Sequence, residues 1–163
     1  MEKNLNVKTI AEYAAEGKEP EVLFWVGCAG SFDDRAKKIT KAFVKILNSI
    51  NVDFAVLGTE ESCTGDPAKR SGNEFLFQMQ AMTNIEVLNS YDIKTIVTTC
   101  PHCFNTIKNE YPSLGGKYKV LHHTQFLNNL LFEDKTTLWS NSLKSALLRA
   151  RCVVMSSPAH AGA

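Results

Sequence analysis

Short apolar runs alternate with helically spaced stretches four times along this chain, and that alternation restricts the fold more than any other feature. Glu21–Gly27 (EVLFWVG), Val52–Leu57 (VDFAVL), Lys94–Thr99 (KTIVTT) and Tyr118–His122 read as strands. Between them, Ala36, Ile39, Phe43, Ile46, Leu47 and Ile50 mark one face of a helix. A second helix runs from about Asn73 to Asn89 and carries Phe75, Met79, Met82 and Leu88. The chain then leads through Cys100 and Pro101 into a third, which stops before Pro112, and Thr124 can cap a short one reaching about Phe132. Strand alternating with helix implies right-handed crossovers between parallel strands. The expected fold is α/β, a Rossmann-like βαβ half-module with a parallel four-stranded sheet flanked by helices.

Three segments follow from this reading: a helical lead-in over residues 1–20, the α/β domain over 21–132, and a divergent tail over 133–163. The tail carries one expected helix around Leu143–Arg151, then a Ser/Ala/Gly-rich end whose last eight residues are expected to be disordered. At 163 residues, with 44% hydrophobic and 21% charged residues, the chain can bury a core of its own. A net charge of +1 offers no basic stripe, so nucleic acid is not an expected partner. The first twenty residues mix acids and bases without a continuous apolar run, unlike a secretory signal, and no stretch approaches the roughly 18 apolar residues of a membrane span. The expected location is the cytoplasm, either free or held at a membrane's periphery through a partner.

Chemistry concentrates in the cysteines. In an open parallel sheet, functional groups collect at the carboxyl ends of the strands. Cys28 follows the first strand, Cys63 lies in the loop after the second, Cys100 ends the third, and His122 and His123 end the fourth. The gaps are 34 residues from Cys28 to Cys63, 36 from Cys63 to Cys100, and two from Cys100 to Cys103. Zinc ribbons need two short spacings and ferredoxins a tight cluster of cysteines, so neither describes this pattern. Four thiolates drawn from successive strand ends suit an iron–sulfur cluster or a zinc ion. The fifth cysteine, Cys152, has no neighbouring partner in sequence and reads as an incidental thiol.

The segments VLFWVGCAGSFDDR, GTEESCTGD and TTCPHCFNTIKNEYP make the pattern more specific. Together they resemble the cysteine-rich (CCG-domain) iron–sulfur proteins, and the chain is similar over Glu21 to Phe132 to the N-terminal half of the cysteine-rich subunit of heterodisulfide reductases and to related oxidoreductases. That family's pattern is a lone Cys, a Cys-Cys-Gly and a CxxC, and its best-understood members hold a noncubane [4Fe–4S] cluster on five cysteines. The resemblance implies that Cys28 is the lone Cys, Cys63 the first of the pair, Gly65 its glycine, and Cys100 with Cys103 the CxxC. Thr64 stands where the second cysteine of the pair would be, which leaves four thiolates and an ordinary [4Fe–4S] cluster as the expected cofactor. Zinc on the same four residues is the alternative. Nothing after Phe132 resembles the second copy of the repeat that family members carry, so the chain reads as half of a functional subunit.

Around these ligands, Gly27, Gly30 and Gly65 remove Cβ atoms and let backbone approach sulfur. Helices starting after Cys28 and at Cys103 aim their positive ends at the thiolates. His102, inside the CxxC, is expected to bring a polar N–H near sulfur, and His122 or His123 to tune the cluster edge. Asp33 and Asp34 read as helix-start acids, and Arg35 and Arg70 as solvated helix residues able to offset cluster charge.

The implied role is an electron relay within a larger redox complex, an oxidoreductase component without catalytic residues of its own. Its partners would be a flavoprotein, a ferredoxin-type subunit or a membrane quinone-reactive subunit. Two rivals share the residues. One is a zinc-stapled interaction domain. The other is a thiol–disulfide oxidoreductase built on Cys100-Pro101-His102-Cys103, which would need neither Cys28 nor Cys63.

Overall fold

The computed structural model describes residues 6–132. Their strands are β1 (Lys8–Thr9), β2 (Val22–Trp25), β3 (Phe54–Val56), β4 (Thr95–Thr98) and β5 (Lys119–His122). All pair in parallel in the order β1-β3-β2-β4-β5. β2 lies at the centre, and every residue of its VLFW run is buried, as expected of a strand covered on both faces. Its alternating side chains divide the interior. Leu23 and Trp25 join Phe77, Leu88, Ile96, Ile107 and Tyr111 in one apolar cluster, while Phe24 points the other way and meets Phe43 edge-on at 5.1 Å.

The helices are α1 (Ile10–Ala15), α2 (Gly27–Phe32), α3 (Asp34–Ser49), α4 (Asp66–Arg70), α5 (Glu74–Ser90), α6 (Pro101–Asn105) and α7 (His123–Phe132). Their ends follow from local chemistry. Thr9 and Glu12 form a capping box on α1, and the side chains of Asp33 and Asn73 accept from the N–H groups of Ala36 and Leu76 at the starts of α3 and α5. Asn51 and Asp92, at φ 53° and 49°, turn the chain out of α3 and α5. The N–H groups of Val52 and Ile93 then return to the carbonyls of Leu47 and Leu88. Beyond α6 the helix widens into a π-turn, Thr106–Glu110, and tightens into a 3-10 turn, Tyr111–Leu114, which leaves Thr106, Ile107 and Tyr111 all buried.

Two expectations are corrected. The sheet has five strands rather than four, because Lys8–Thr9 adds a parallel edge strand beside β3. Two residues are too short to show any apolar period, so the pairing leaves no mark in the sequence. On α5, Phe75, Met79 and Met82 are 76%, 53% and 60% exposed, while Phe77, Ala81, Asn84, Ile85 and Leu88 face inward. That helix is apolar on nearly every side, and its periodicity does not select a face.

The sheet and helices α1 to α6 lie within the unit Met1–Asn129. The expected helix near Leu143–Arg151 and Cys152 lie outside the described residues. No helix among the described residues is long and apolar enough to cross a membrane.

Candidate metal centre

Because the strands are parallel, the segments leaving β2, β3 and β4 emerge at one edge of the sheet. Cys28 lies in the first turn of α2 and is exposed. Cys63 sits, partly buried, in the loop ahead of α4. Cys100 is the N-cap of α6, and Cys103, in that helix's first turn, is buried. A polar cavity of about 450 Å³, lined by Asn6, Lys8, Tyr13, Glu16 and Asp53 among others, lies at the amino ends of the strands, away from this chemistry.

The three cysteine-bearing segments meet at Cys103. Gly27, in the left-handed conformation at φ +76°, passes so close that a Cβ there would lie 3.2 Å from the sulfur of Cys103 and 3.9 Å from the Cβ of Cys100. From the second segment, the hydroxyl of Thr64 donates to the Cys103 sulfur at 4.0 Å. Among the described residues, no three thiols, histidines or carboxylates are close enough to share a single metal ion. The set still fits a thiolate-ligated group: four cysteines on one edge, three backbone segments in contact, and a glycine where any side chain would crowd the ligand.

The CxxC thiols are unequal. A hydrogen bond from Cys103 lowers the Cys100 thiol to about 5, helped by the N–H groups of Cys103 and His102 and by the His102 charge, against the cost of burial. Donating that bond, together with burial, pushes Cys103 upward.

The loop from Glu61 to Asp66 holds the segments together. Glu61 accepts from the N–H of Val26 at 3.0 Å and of Gly27 at 2.5 Å, immediately before Cys28. Burial raises its carboxyl to about 7, although both N–H groups pull it down. Ser62 donates to Asn84, whose amide donates in turn to the carbonyl of Cys63 and to Tyr111. Tyr111 donates to the carbonyl of Thr64. Gly65, at φ +86°, has no room for a Cβ, which would lie 2.8 Å from the Phe77 ring. Asp66, 7% exposed, accepts from Arg70 Nε at 3.0 Å and Thr106 Oγ1 at 3.2 Å, and stands 3.2 Å from His102 Nδ1.

The His102 ring therefore reaches Asp66, while its backbone N–H bonds Cys100. His122 meets the carbonyl of Thr99 at 3.2 Å and the hydroxyl of Thr124 at 2.8 Å, so it steadies the backbone just ahead of Cys100. His123 packs on Phe43, where burial and then the neighbouring His122 lower its imidazole to about 4 and keep it neutral. Gly30 is fitted against Thr40 and Val26, with no sulfur among its near neighbours. Glu61, Asp66, Asn84 and Tyr111 are the supporting residues that sequence reasoning missed. A signal existed for Asn84, a lone amide on the inward Ala81–Ile85–Leu88 face.

The family profile described as cysteine-rich domain (CCG) matches residues 22–108. The chain is 49% identical over 120 residues to the EtfAB:quinone oxidoreductase of Syntrophomonas wolfei, covering 74% of this chain and 17% of that protein. It is 48% identical over 129 residues to the probable iron-sulfur-binding oxidoreductase FadF of Bacillus subtilis, covering 79% and 18%. Against one subunit of the dihydromethanophenazine:CoB–CoM heterodisulfide reductase of Methanosarcina barkeri the identity is 31% over 121 residues, covering 71% and 29%. The matched stretch thus spans less than a third of each relative. No solved structure matches.

Proposed function

The chain belongs to the cysteine-rich (CCG) domain family, and on that premise we propose that residues 21–132 form an iron–sulfur electron-transfer domain of a larger redox protein, with one [4Fe–4S] cluster on Cys28, Cys63, Cys100 and Cys103. The observation that carries this reading is the meeting of three strand-end segments at Cys103, through Gly27 on one side and Thr64 on the other. Two relatives are named as a quinone oxidoreductase and a probable iron-sulfur-binding oxidoreductase, which supports redox chemistry of the same kind here.

A bound cluster would accept and release an electron, and the protein would set its position, hydration and hydrogen bonding. Thr64 replaces a fifth thiolate with a hydroxyl that donates to sulfur. Cys100, already biased toward the thiolate, is ready to ligate. Electrons would come from a flavoprotein or ferredoxin-type subunit and pass toward a quinone-reactive one, with any membrane attachment supplied by a partner.

Anaerobic purification with iron, sulfide and zinc counting, followed by EPR after reduction, tests this. Iron and sulfide in near-equal amounts with a reduced-state signal are expected. Replacing any of the four cysteines by Ser should abolish or destabilise that signal. Stoichiometric zinc without visible absorption would instead establish the zinc-stapled domain.

One observation favours a second reading, the pairing of an acidified Cys100 with a buried, hydrogen-bonded Cys103. In thiol–disulfide exchange, the Cys100 thiolate would attack a substrate disulfide and Cys103 would resolve the mixed disulfide, leaving a Cys100–Cys103 bond and two substrate thiols. Metal-free protein that reduces a model disulfide after Cys28 and Cys63 are both replaced would select it.

A further inference from the structure

We infer that Glu61 and Asp66 are positioning residues that assemble the cysteine segments before any metal group arrives. The two carboxylates stand at opposite ends of the short loop carrying Cys63, and each fastens that loop to a different ligand-bearing segment. Glu61 takes both oxygens to the consecutive N–H groups of Val26 and Gly27, the two residues before Cys28. Asp66 binds the hydroxyl of Thr106, one turn beyond Cys103, and faces the His102 imidazole within the CxxC. Arg70 secures Asp66 from the solvent side at 3.0 Å. Each of these bonds joins a carboxylate to a group distant in sequence or fixed in a helix, so together they set the spacing of three segments otherwise joined only through long stretches of intervening chain.

The expected consequence is kinetic as well as structural. Four thiolates on independently moving segments must lose that freedom as they bind, and a loop tied at both ends has already lost much of it. The inference rests on the reading that these four cysteines hold one metal group.

The test uses the full chain in metal-free, reduced form, treated with a short thiol-to-thiol cross-linker and analysed by peptide mapping. Wild type is expected to give Cys28–Cys103 and Cys63–Cys103 products beside Cys100–Cys103. Glu61→Ala should lower the Cys28–Cys103 yield about tenfold, the effect of its two lost backbone hydrogen bonds, and leave Cys100–Cys103 unchanged. Asp66→Ala should instead lower Cys63–Cys103. Glu61→Gln and Asp66→Asn, which retain one acceptor oxygen, should fall between Ala and wild type and guard against a variant that fails to fold.

The second measurement is the initial rate of cluster formation from iron and sulfide under anaerobic conditions. The alanine variants should be about tenfold slower yet reach the wild-type spectrum. Yields and rates unchanged in all four variants would overturn the inference, as would a uniform loss of every cross-link. Wild-type protein that takes up no iron, with variants that still show the segment-specific losses, would overturn the cluster reading and leave the positioning role standing. Iron uptake with unaltered cross-linking would do the reverse.

Discussion

The hydroxyl of Thr64 lies 4.0 Å from the sulfur of Cys103 and donates to it, so the residue replacing a second cysteine in the family pattern still addresses the site. A donor at sulfur stabilises the more negative, reduced state of a cluster. Thr64→Val, nearly equal in volume, should lower the midpoint potential by about 20–60 mV, taking roughly 0.5–1.5 kcal/mol for the bond and 59 mV per tenfold. Redox titration followed by EPR measures the shift. An unchanged potential would mean that the hydroxyl has turned away in the loaded protein.

Gly27 is the glycine whose missing side chain faces the CxxC sulfur directly. Its left-handed backbone costs an L residue about 1–2 kcal/mol, and a Cβ would sit 3.2 Å from the Cys103 sulfur. Gly27→Ala is therefore expected to lower the unfolding free energy by about that amount and to slow cluster uptake. Urea unfolding of the metal-free variant separates the backbone cost from the ligand effect. Gly17→Ala, with a similar φ of +65° and open space around it, supplies the control for strain alone.

Thiol titration offers a check without iron. With the Cys100 thiol lowered to about 5 and Cys103 raised, metal-free protein at pH 6 should be alkylated by iodoacetamide at Cys100 well before Cys103. Labelling of Cys100 should rise through a midpoint near pH 5, and Cys103→Ala should move that midpoint upward by removing the donated bond. Mass spectrometry of quenched time points resolves the two sites.

Glu61 gives the metal-free fold a pH dependence of opposite sign to that of an ordinary paired carboxylate. Its carboxyl is raised from 4.5 to about 7, so between those values the folded state holds more protons than the unfolded one. Stability from this group consequently falls as pH rises from about 4.5 to about 7, and is level on either side. His123, lowered from 6.5 to about 4, contributes a rise of opposite sign over much of the same window, so the Glu61 effect is read as the difference between thermal melts of wild type and Glu61→Gln, which should fall as pH rises from about 4.5 to about 7. A difference that is flat or rises over that range would contradict the assignment.

The strands, the long helices and the edge carrying Cys28, Cys63, Cys100 and Cys103 were legible because β2, β3 and β4 are apolar runs with helical stretches between them. β1 was not legible, since Lys8 and Thr9 contribute only backbone pairing to β3. The inward face of α5 was not either, because Phe75 and Met79 are as apolar as Phe77 and Ile85. At the candidate site, the shared edge of the cysteines and the closeness of Gly27 to sulfur could be read from motif and spacing, whereas Gly65 is tight against Phe77 and not against a sulfur. Glu61 and Asp66 could not, because a carboxylate that receives backbone or hydroxyl donors across the fold looks in sequence like any surface acid. The helix that carries His102 is visible in the sequence, but its partner, Asp66, lies 36 residues earlier and is joined to it only by the fold.

In the proposed cluster site, the contrast between exposed Cys28 and buried Cys103 would give one wet side and one dry side. Oxygen and peroxide would then reach the four cysteines from the Cys28 side first, and oxidation of that sulfur is the expected opening step of damage in air. A protein that has lost its iron aerobically should carry sulfenic or sulfinic acid at Cys28 while Cys103 remains a thiol, so the order of injury would record which way the centre faces.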